Sequence, residues 1–391
     1  MEEAKQRYRK GFSFANFWSR AHEDVVEVQS GRAVALLQAQ LATGAGDDAH
    51  RTVWQRALED LTRPLEAPPA DRPKIFEINR LSAEEMTRLE DGQVTRYLYH
   101  RFRYDIFPGE RRLDDAPTCV QVEPTSICNF RCTFCYQADR SFSDKRQGHM
   151  GSMTLDLYKR LVDQLAGRVE FISLASRGEP MICKAFPEML EYSASKFIGL
   201  KVNTNASLMT ERIAHALLSG GVNWLVFSVD AADAETFARL RVNGDLDDVR
   251  RKMALFREIQ AKHYPDVPII TRASGVLVEQ EGQKIDDMQS VWGELVDQVT
   301  FVKYNPWENT YENSPTEVTS PCSDLWRRTF VWHDGVVNPC DCDYKSNLKV
   351  GSAARDDLLS IWRGAAYDRL RAQHLMDQRQ AMEPCRRCYF L

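Results

Sequence analysis

The chain has no run of about 18 apolar residues, so no membrane-spanning helix is expected. It has no block of lysine and arginine either. The formal net charge is −5 with the signs interspersed, which argues against nucleic acid as a partner. The opening stretch MEEAKQRYRK leads into no apolar segment, so no secretory signal is expected, and a cytoplasmic location follows. Internal repeats and low-complexity tracts are missing as well. These absences leave 391 residues of ordinary globular composition, 43% hydrophobic and 27% charged, enough for one large core or two moderate ones. Against that background the ten cysteines stand out. A cytoplasmic chain is a poor setting for a disulfide scaffold, so metal or redox chemistry is the better default.

Patterning divides the chain into three parts. Residues 1–115 carry charged helical patterns such as AVALLQAQLATG and RTVWQRALEDLTR, followed by the proline-rich PLEAPPADRPK, a linker or irregular connection. From 116 to 310, short apolar runs alternate with amphipathic stretches. The runs TCVQVEP, EFISLAS, GLKVNTNA, WLVFSVD, PIITRASGVLV and QVTFVKYN predict strands; LDLYKRLVDQLAG, TERIAHALLSGG and DDVRRKMALFREIQAKH predict crossover helices. Six such units predict an α/β fold, a partial (βα)6 barrel of the TIM type that stays open. Residues 316–391 form a small cysteine-rich tail ending in EPCRRCYFL.

The stretch SICNFRCTFCYQ follows the first predicted strand and spaces Cys128, Cys132 and Cys135 as C-x3-C-x2-C. That is the C-terminal end of a strand, where parallel α/β sheets place their chemistry. Three thiolates hold three irons of a four-iron cluster and leave the fourth open to another ligand. A structural zinc site wants a fourth thiolate or histidine, and none lies in this loop. A zinc knuckle or three core cysteines is the alternative.

With Phe134 between them, these cysteines resemble the C-x3-C-x-aromatic-C signature of the radical S-adenosylmethionine (SAM) superfamily. The resemblance implies a [4Fe-4S] cluster that binds SAM and cleaves it to methionine and a 5'-deoxyadenosyl radical, which takes hydrogen from an unactivated C–H bond. It implies a flavodoxin- or ferredoxin-type electron donor, and it places Phe134 and Tyr136 beside the cofactor. Further motifs follow in the family's order. SRGEP at 176–180 is similar to Gly-Gly-Glu-Pro, with Arg177 in place of the first glycine, and implies that Gly178 and Glu179 meet the SAM amino group. NTNASL carries Asn205, with Ala206 where glycine is usual. SVDAAD and FARLRVNG imply that Ser228 and Arg241 hold the SAM carboxylate. For Arg241, a solvated helix-end charge is the alternative.

In the tail, Cys322, the G-x4-C stretch from Gly335 to Cys340, and the pair Cys385-x2-Cys388 resemble the SPASM and twitch extensions that carry auxiliary clusters. The resemblance implies that Cys322, Cys340, Cys385 and Cys388 ligate one auxiliary [4Fe-4S] cluster; a four-cysteine zinc site has the same ligand count. A full SPASM domain has cysteines enough for two clusters, and their shortage here implies the shorter twitch form, as in the radical SAM dehydrogenase of 2-deoxy-scyllo-inosamine. Cys342 is a hydrogen donor, a cluster ligand or an inert neighbour. Cys119 and Cys183 read as packed core thiols.

The first 115 residues say least. The stretch VTRYLYHRFRYDIFPGERR caps the open barrel or touches a charged substrate, or else is a solvated, partly buried helix, the reading favoured here. It does not resemble the peptide-binding winged helix of many SPASM relatives, which favours a small substrate. The expectation is therefore an oxidoreductase acting on an alcohol carbon of a sugar, aminocyclitol or similar polyol. A peptide or protein maturase, or a sugar epimerase using Cys342, is the alternative, and a non-catalytic zinc or nucleic-acid binder the third. Lys303, Tyr304 and Arg272 lie near strand ends as candidate general bases.

Overall fold

The computed structural model describes residues 14–63, 75–278 and 282–389, so the proline-rich connection at 64–74 lies outside the described residues. Twelve strands occur among them: β1 (Phe14–Ser19), β2 (Cys119–Val122), β3 (Arg131–Cys132), β4 (Phe171–Leu174), β5 (Gly199–Thr204), β6 (Trp224–Ser228), β7 (Arg241–Val242), β8 (Ile270–Leu277), β9 (Gln298–Lys303), β10 (Arg328–Val331), β11 (Val336–Asn338) and β12 (Gly351–Ser352). Ten of these make one sheet in the order β1-β9-β8-β6-β5-β4-β2-β10-β11-β12. The six strands from β2 to β9 are parallel and adjacent in chain order. This is the partial barrel expected from the alternating pattern.

The connecting helices follow from their apolar spacing. Ahead of the barrel come α1 (Val25–Ala42), α2 (Asp48–Thr62), α3 (Arg80–Met86) and α4 (Asp91–Glu110); within it lie α5 (Arg140–Ser143), α6 (Leu155–Leu165), α7 (Phe186–Ser193), α8 (Glu211–Ser219), α9 (Ala234–Leu240), α10 (Leu246–His263) and α11 (Ile285–Trp292). Helix α6 buries Tyr158, Leu161, Val162 and Leu165, one stripe at helical spacing, and Thr154 caps its first turn through the Leu157 amide at 3.3 Å. The tail adds α12 (Leu358–Trp362) and α13 (Ala365–Leu375).

Two features depart from the expected three-part layout. The N-terminal part is not only helical: β1 pairs antiparallel with β9 and extends the sheet at that edge. At the other edge β10, from the tail, pairs in parallel with β2, matching Arg328 to Cys119 and Val331 to Val122. The helical N-terminal part has its own core of residues such as Ala33, Leu37, Trp54, Tyr97 and Phe102. The aromatic–basic stretch lies largely on α4, which buries Tyr97, Leu98, His100, Phe102 and Ile106. His100 stacks on Phe171, the first residue of β4, with ring centroids 4.2 Å apart. Glu84 of α3 accepts a hydrogen bond from Gln298, the first residue of β9. These helices therefore close the barrel at the strand N-termini. The reading favoured from sequence, a solvated and partly buried helix, is corrected toward its alternative, a cap: α4 keeps an exposed side, but Tyr97 and His100 are buried against Phe171 of the barrel floor.

Candidate active site

At the opposite, C-terminal end of the strands lies a cavity of about 290 Å³. Cys128, Cys132 and Cys135 line it, together with Phe134, Tyr136, Gly178, Glu179, Asn205, Ser228 and Arg241. The cysteine loop is held by its neighbours. Asn205 donates to Asn129 Oδ1 at 3.0 Å, and Asn129 donates to Ser207 at 2.8 Å. The two-residue ladder β3–β7 pairs Cys132 with Arg241. Gly178 has no room for a side chain, since a Cβ would sit 2.5 Å from the Ile127 carbonyl oxygen and closer still to that of Thr125. Its neighbour Glu179 then donates its own amide to Ile127 O at 2.9 Å.

The electrostatics of this cavity favour a charged guest. The buried Glu179 carboxylate accepts from Thr204 and from the Asn205 amide, each at 2.7 Å, yet burial outweighs these bonds and pushes it up to about 7. An ammonium group beside it would restore the charged form. Arg241 is buried, donates to the Asp230 carboxylate, and lies 3.7 Å from Cys132 Sγ through Nη1. Burial pushes the Cys128 thiol up to about 12 and raises those of Cys132 and Cys135. Thiols so placed ionise when a metal supplies the compensating charge, and the donor set fits a cluster bound by three cysteines.

All five cysteines of the tail, Cys322, Cys340, Cys342, Cys385 and Cys388, line a second and much smaller pocket of about 30 Å³. Gly335, at φ +84°, turns the β10–β11 hairpin that brings Cys340 back toward Cys322. Arg379 closes the far side, donating to Ser320 O at 2.9 Å and Cys388 O at 3.0 Å. Burial pushes the Cys322 thiol up to about 12, and Cys342 hydrogen-bonds to Cys340 and Cys388. This sulfur-lined pocket fits a second, fully ligated cluster. Asp341 lines both the small pocket and the large cavity.

The family model of the radical SAM superfamily matches residues 122–273, and that of an iron–sulfur cluster-binding domain, SPASM, matches residues 322–389. The chain is a radical SAM protein with a C-terminal SPASM domain. It is 30% identical over 129 residues to the AdoMet-dependent heme synthase of Methanosarcina barkeri, covering 33% of this chain and 36% of that one. It is 31% identical over 138 residues to the mycofactocin maturase MftC of Mycobacterium tuberculosis, covering 35% and 34%. The match thus spans about a third of the length of these relatives. In fold, it is similar to AdoMet-bound anSMEcpe (15% identity, TM-score 0.52, covering 70% of this chain and 88% of that one). It is also similar to Streptococcus suis SuiB (14% identity, TM-score 0.50, covering 87% and 83%).

In this radical SAM core, the residues singled out from sequence as SAM contacts all reach the one cavity. Arg241 is buried there and is not a solvated helix-end charge. Cys342 belongs to the SPASM pocket and is not among the residues lining the large cavity. Of the candidate bases, Lys303 lines the cavity, Tyr304 donates to Glu308, and Arg272 donates to Gln298 at 2.7 Å near the strand N-termini. Cys183 is a core thiol 3.8 Å from Met153 O, and Cys119 is half-buried at the start of β2.

Sequence reasoning missed Glu123 and what surrounds it. Arg177, standing where the family has glycine, forks onto the fully buried Glu123 at 2.7 and 2.6 Å. Its remaining nitrogen donates to Tyr344 O of the SPASM domain at 2.7 Å, and its guanidinium lies 4.1 Å from the Trp332 ring centroid. The His333 amide donates to the same carboxylate at 3.2 Å. Arg177 therefore ties core and tail together. The available signal was a lone acid ending a strand, in VQVEP, opposite the unexpected arginine.

Proposed function

We propose that this protein uses reductive cleavage of SAM to remove hydrogen from a carbon that bears a hydroxyl group in a small polar substrate, oxidising that carbon. Cys128, Cys132 and Cys135 hold the SAM-binding cluster, and Cys322, Cys340, Cys385 and Cys388 hold one auxiliary cluster. When bound, the first supplies the electron that cleaves SAM and the second an acceptor for the electron left on the substrate. Glu179 receives the SAM amino group, Ser228 and Arg241 its carboxylate, and Asn205 fixes the cysteine loop. Phe134 and Tyr136 wall the site and keep water from it. Cys342, in the tail pocket, donates its S–H to neighbouring ligand sulfurs and does not serve the substrate.

The observation that carries this reading is the shared wall. One residue, Asp341, lines both cysteine sites, so a substrate in the large cavity lies next to the pocket that would take its second electron. The second reading, a peptide maturase, is favoured by the sequence match to MftC. Anaerobic reconstitution with iron and sulfide, followed by assay of 5'-deoxyadenosine under a strong reductant, tests the common step. About eight irons per chain and SAM-dependent 5'-deoxyadenosine are expected; about four irons, or zinc in the tail, would remove the acceptor and sink the oxidation.

A further inference from the structure

Beneath the SAM-contacting residues, the barrel interior holds polar side chains that the reading above leaves unused. Gln121 of β2 is in register with Ser173 of β4, Ser173 with Lys201 of β5, and Lys201 with Trp224 of β6. These four residues form one row across four neighbouring strands. Strand alternation turns the row toward the barrel interior, below the cavity, which only Gln121 of the four lines. Gln121 itself lines the large cavity, and so do Ala175 and Asn203, two residues beyond Ser173 and Lys201 on the same strand faces. Each side chain in the row can donate a hydrogen bond: a carboxamide, a hydroxyl, an ammonium and an indole N–H.

None of the four side chains has a hydrogen-bond or ion-pair partner among the described residues, and the Trp224 Nε1 is fully buried. A buried indole N–H without an acceptor is costly, and beside it Gln121 and Lys201 are only half-buried, so their donors stay open to a guest. Arg272 and Arg328 lie near Lys201, and burial together with these two cations holds its ammonium down at about 8. Of the acids of the floor, Glu84 pairs with Arg80 at 3.1 Å, while Glu85, hydrogen-bonded to the Tyr97 hydroxyl at 2.5 Å, opposes the two arginines at Lys201 without making an ion pair with it.

We propose that this row is the floor of the substrate site and that it binds an oxyanion, so that the substrate of the proposed reaction carries a carboxylate or phosphate group. The inference rests on the reading above only in taking the lumen as the substrate's place. Lys201 supplies the charge, and Gln121, Ser173 and Trp224 supply the directed donors that orient the group. Anchoring the anion at this depth leaves the rest of a small molecule at the level of Ser228 and Glu179, where SAM would lie.

The test is calorimetric titration of the reconstituted, SAM-loaded protein with sodium acetate, inorganic phosphate and glycerol at constant ionic strength. Saturable binding of acetate or phosphate, but not glycerol, is expected, weakened by about tenfold or more in Lys201→Met and partly regained in Lys201→Arg. A stronger response to acetate assigns a carboxylate, and a stronger one to phosphate assigns a phosphate ester. Lys201→Met should melt no lower than wild type, because it removes an unpaired enclosed charge. Lys201→Gln gives the same comparison should the methionine variant not fold. Equal affinity in wild type and both neutral variants, or equal binding of glycerol, would overturn the proposal. Because the readout is heat of binding, loss of SAM cleavage with anion binding intact would count against the reaction and not against this site.

Discussion

The two cysteine pockets use the same element in opposite settings. In the core, three thiols sit at one side of a cavity of about 290 Å³ whose other walls carry two acids, two arginines, a lysine and carboxamides. In the tail, five thiols close around about 30 Å³, with Arg379 bonded to the backbone beside them. The contrast teaches that cysteine count alone does not assign a role. An incomplete ligand set becomes a reaction site when charged and polar groups face it across a cavity, whereas a crowded one leaves no room for a guest and suits electron storage.

The largest effect that would separate the pockets is removal of the core triad. Cys128→Ala, Cys132→Ala and Cys135→Ala together should abolish 5'-deoxyadenosine formation while about half the iron stays in the tail; loss of all iron would show that the sites assemble as one. Next is the bridge between them. Glu123→Gln leaves the buried Arg177 unpaired and should cost about 3–5 kcal/mol in denaturant unfolding, with weaker SAM binding because Arg177 adjoins Gly178 and Glu179. An unchanged unfolding midpoint would break the claim that the bridge holds core to tail.

The same carboxylate sets a pH signature. The Arg177 guanidinium and the His333 contact overcome burial and hold Glu123 at about 2, below its ordinary 4.5. Its folded value is depressed, so its stabilisation is complete above about pH 4.5 and is lost as pH falls through about 2. Acid unfolding followed by circular dichroism should therefore be shallower over that window in Glu123→Gln than in wild type. The smallest effect concerns Cys342. Cys342→Ala should keep the tail iron but lower its reduction potential, since hydrogen bonds to Cys340 and Cys388 would be lost. Loss of iron instead would make Cys342 a ligand.

Much of this architecture was legible in the chain. All six barrel strands, β2, β4, β5, β6, β8 and β9, fall within the apolar runs that predicted them, because alternation and length distinguish a buried strand well. The cysteine spacing and the motifs after each strand located the cavity, since strand C-termini converge whatever lies between them. What was not legible depends on contacts between distant segments. Arg177 read as an odd substitution in a glycine motif, and only the fold brings Glu123, Trp332 and Tyr344 around it. The row from Gln121 to Trp224 spans four strands more than a hundred residues apart in sequence, and no local pattern encodes its register. The fate of α4 was misjudged for the same reason, since its interleaved rings and charges do not reveal which face meets the barrel.

The parallel pairing of β10 with β2 has a consequence for how the protein is made. Strand β2 leaves the ribosome early, but its second neighbour is encoded about two hundred residues later. Throughout that interval the first barrel strand presents an open edge, an invitation to pair with another chain. A product truncated near residue 310 would keep every barrel strand and still carry that exposed edge. Such a fragment should aggregate during expression more than the chain that includes β10.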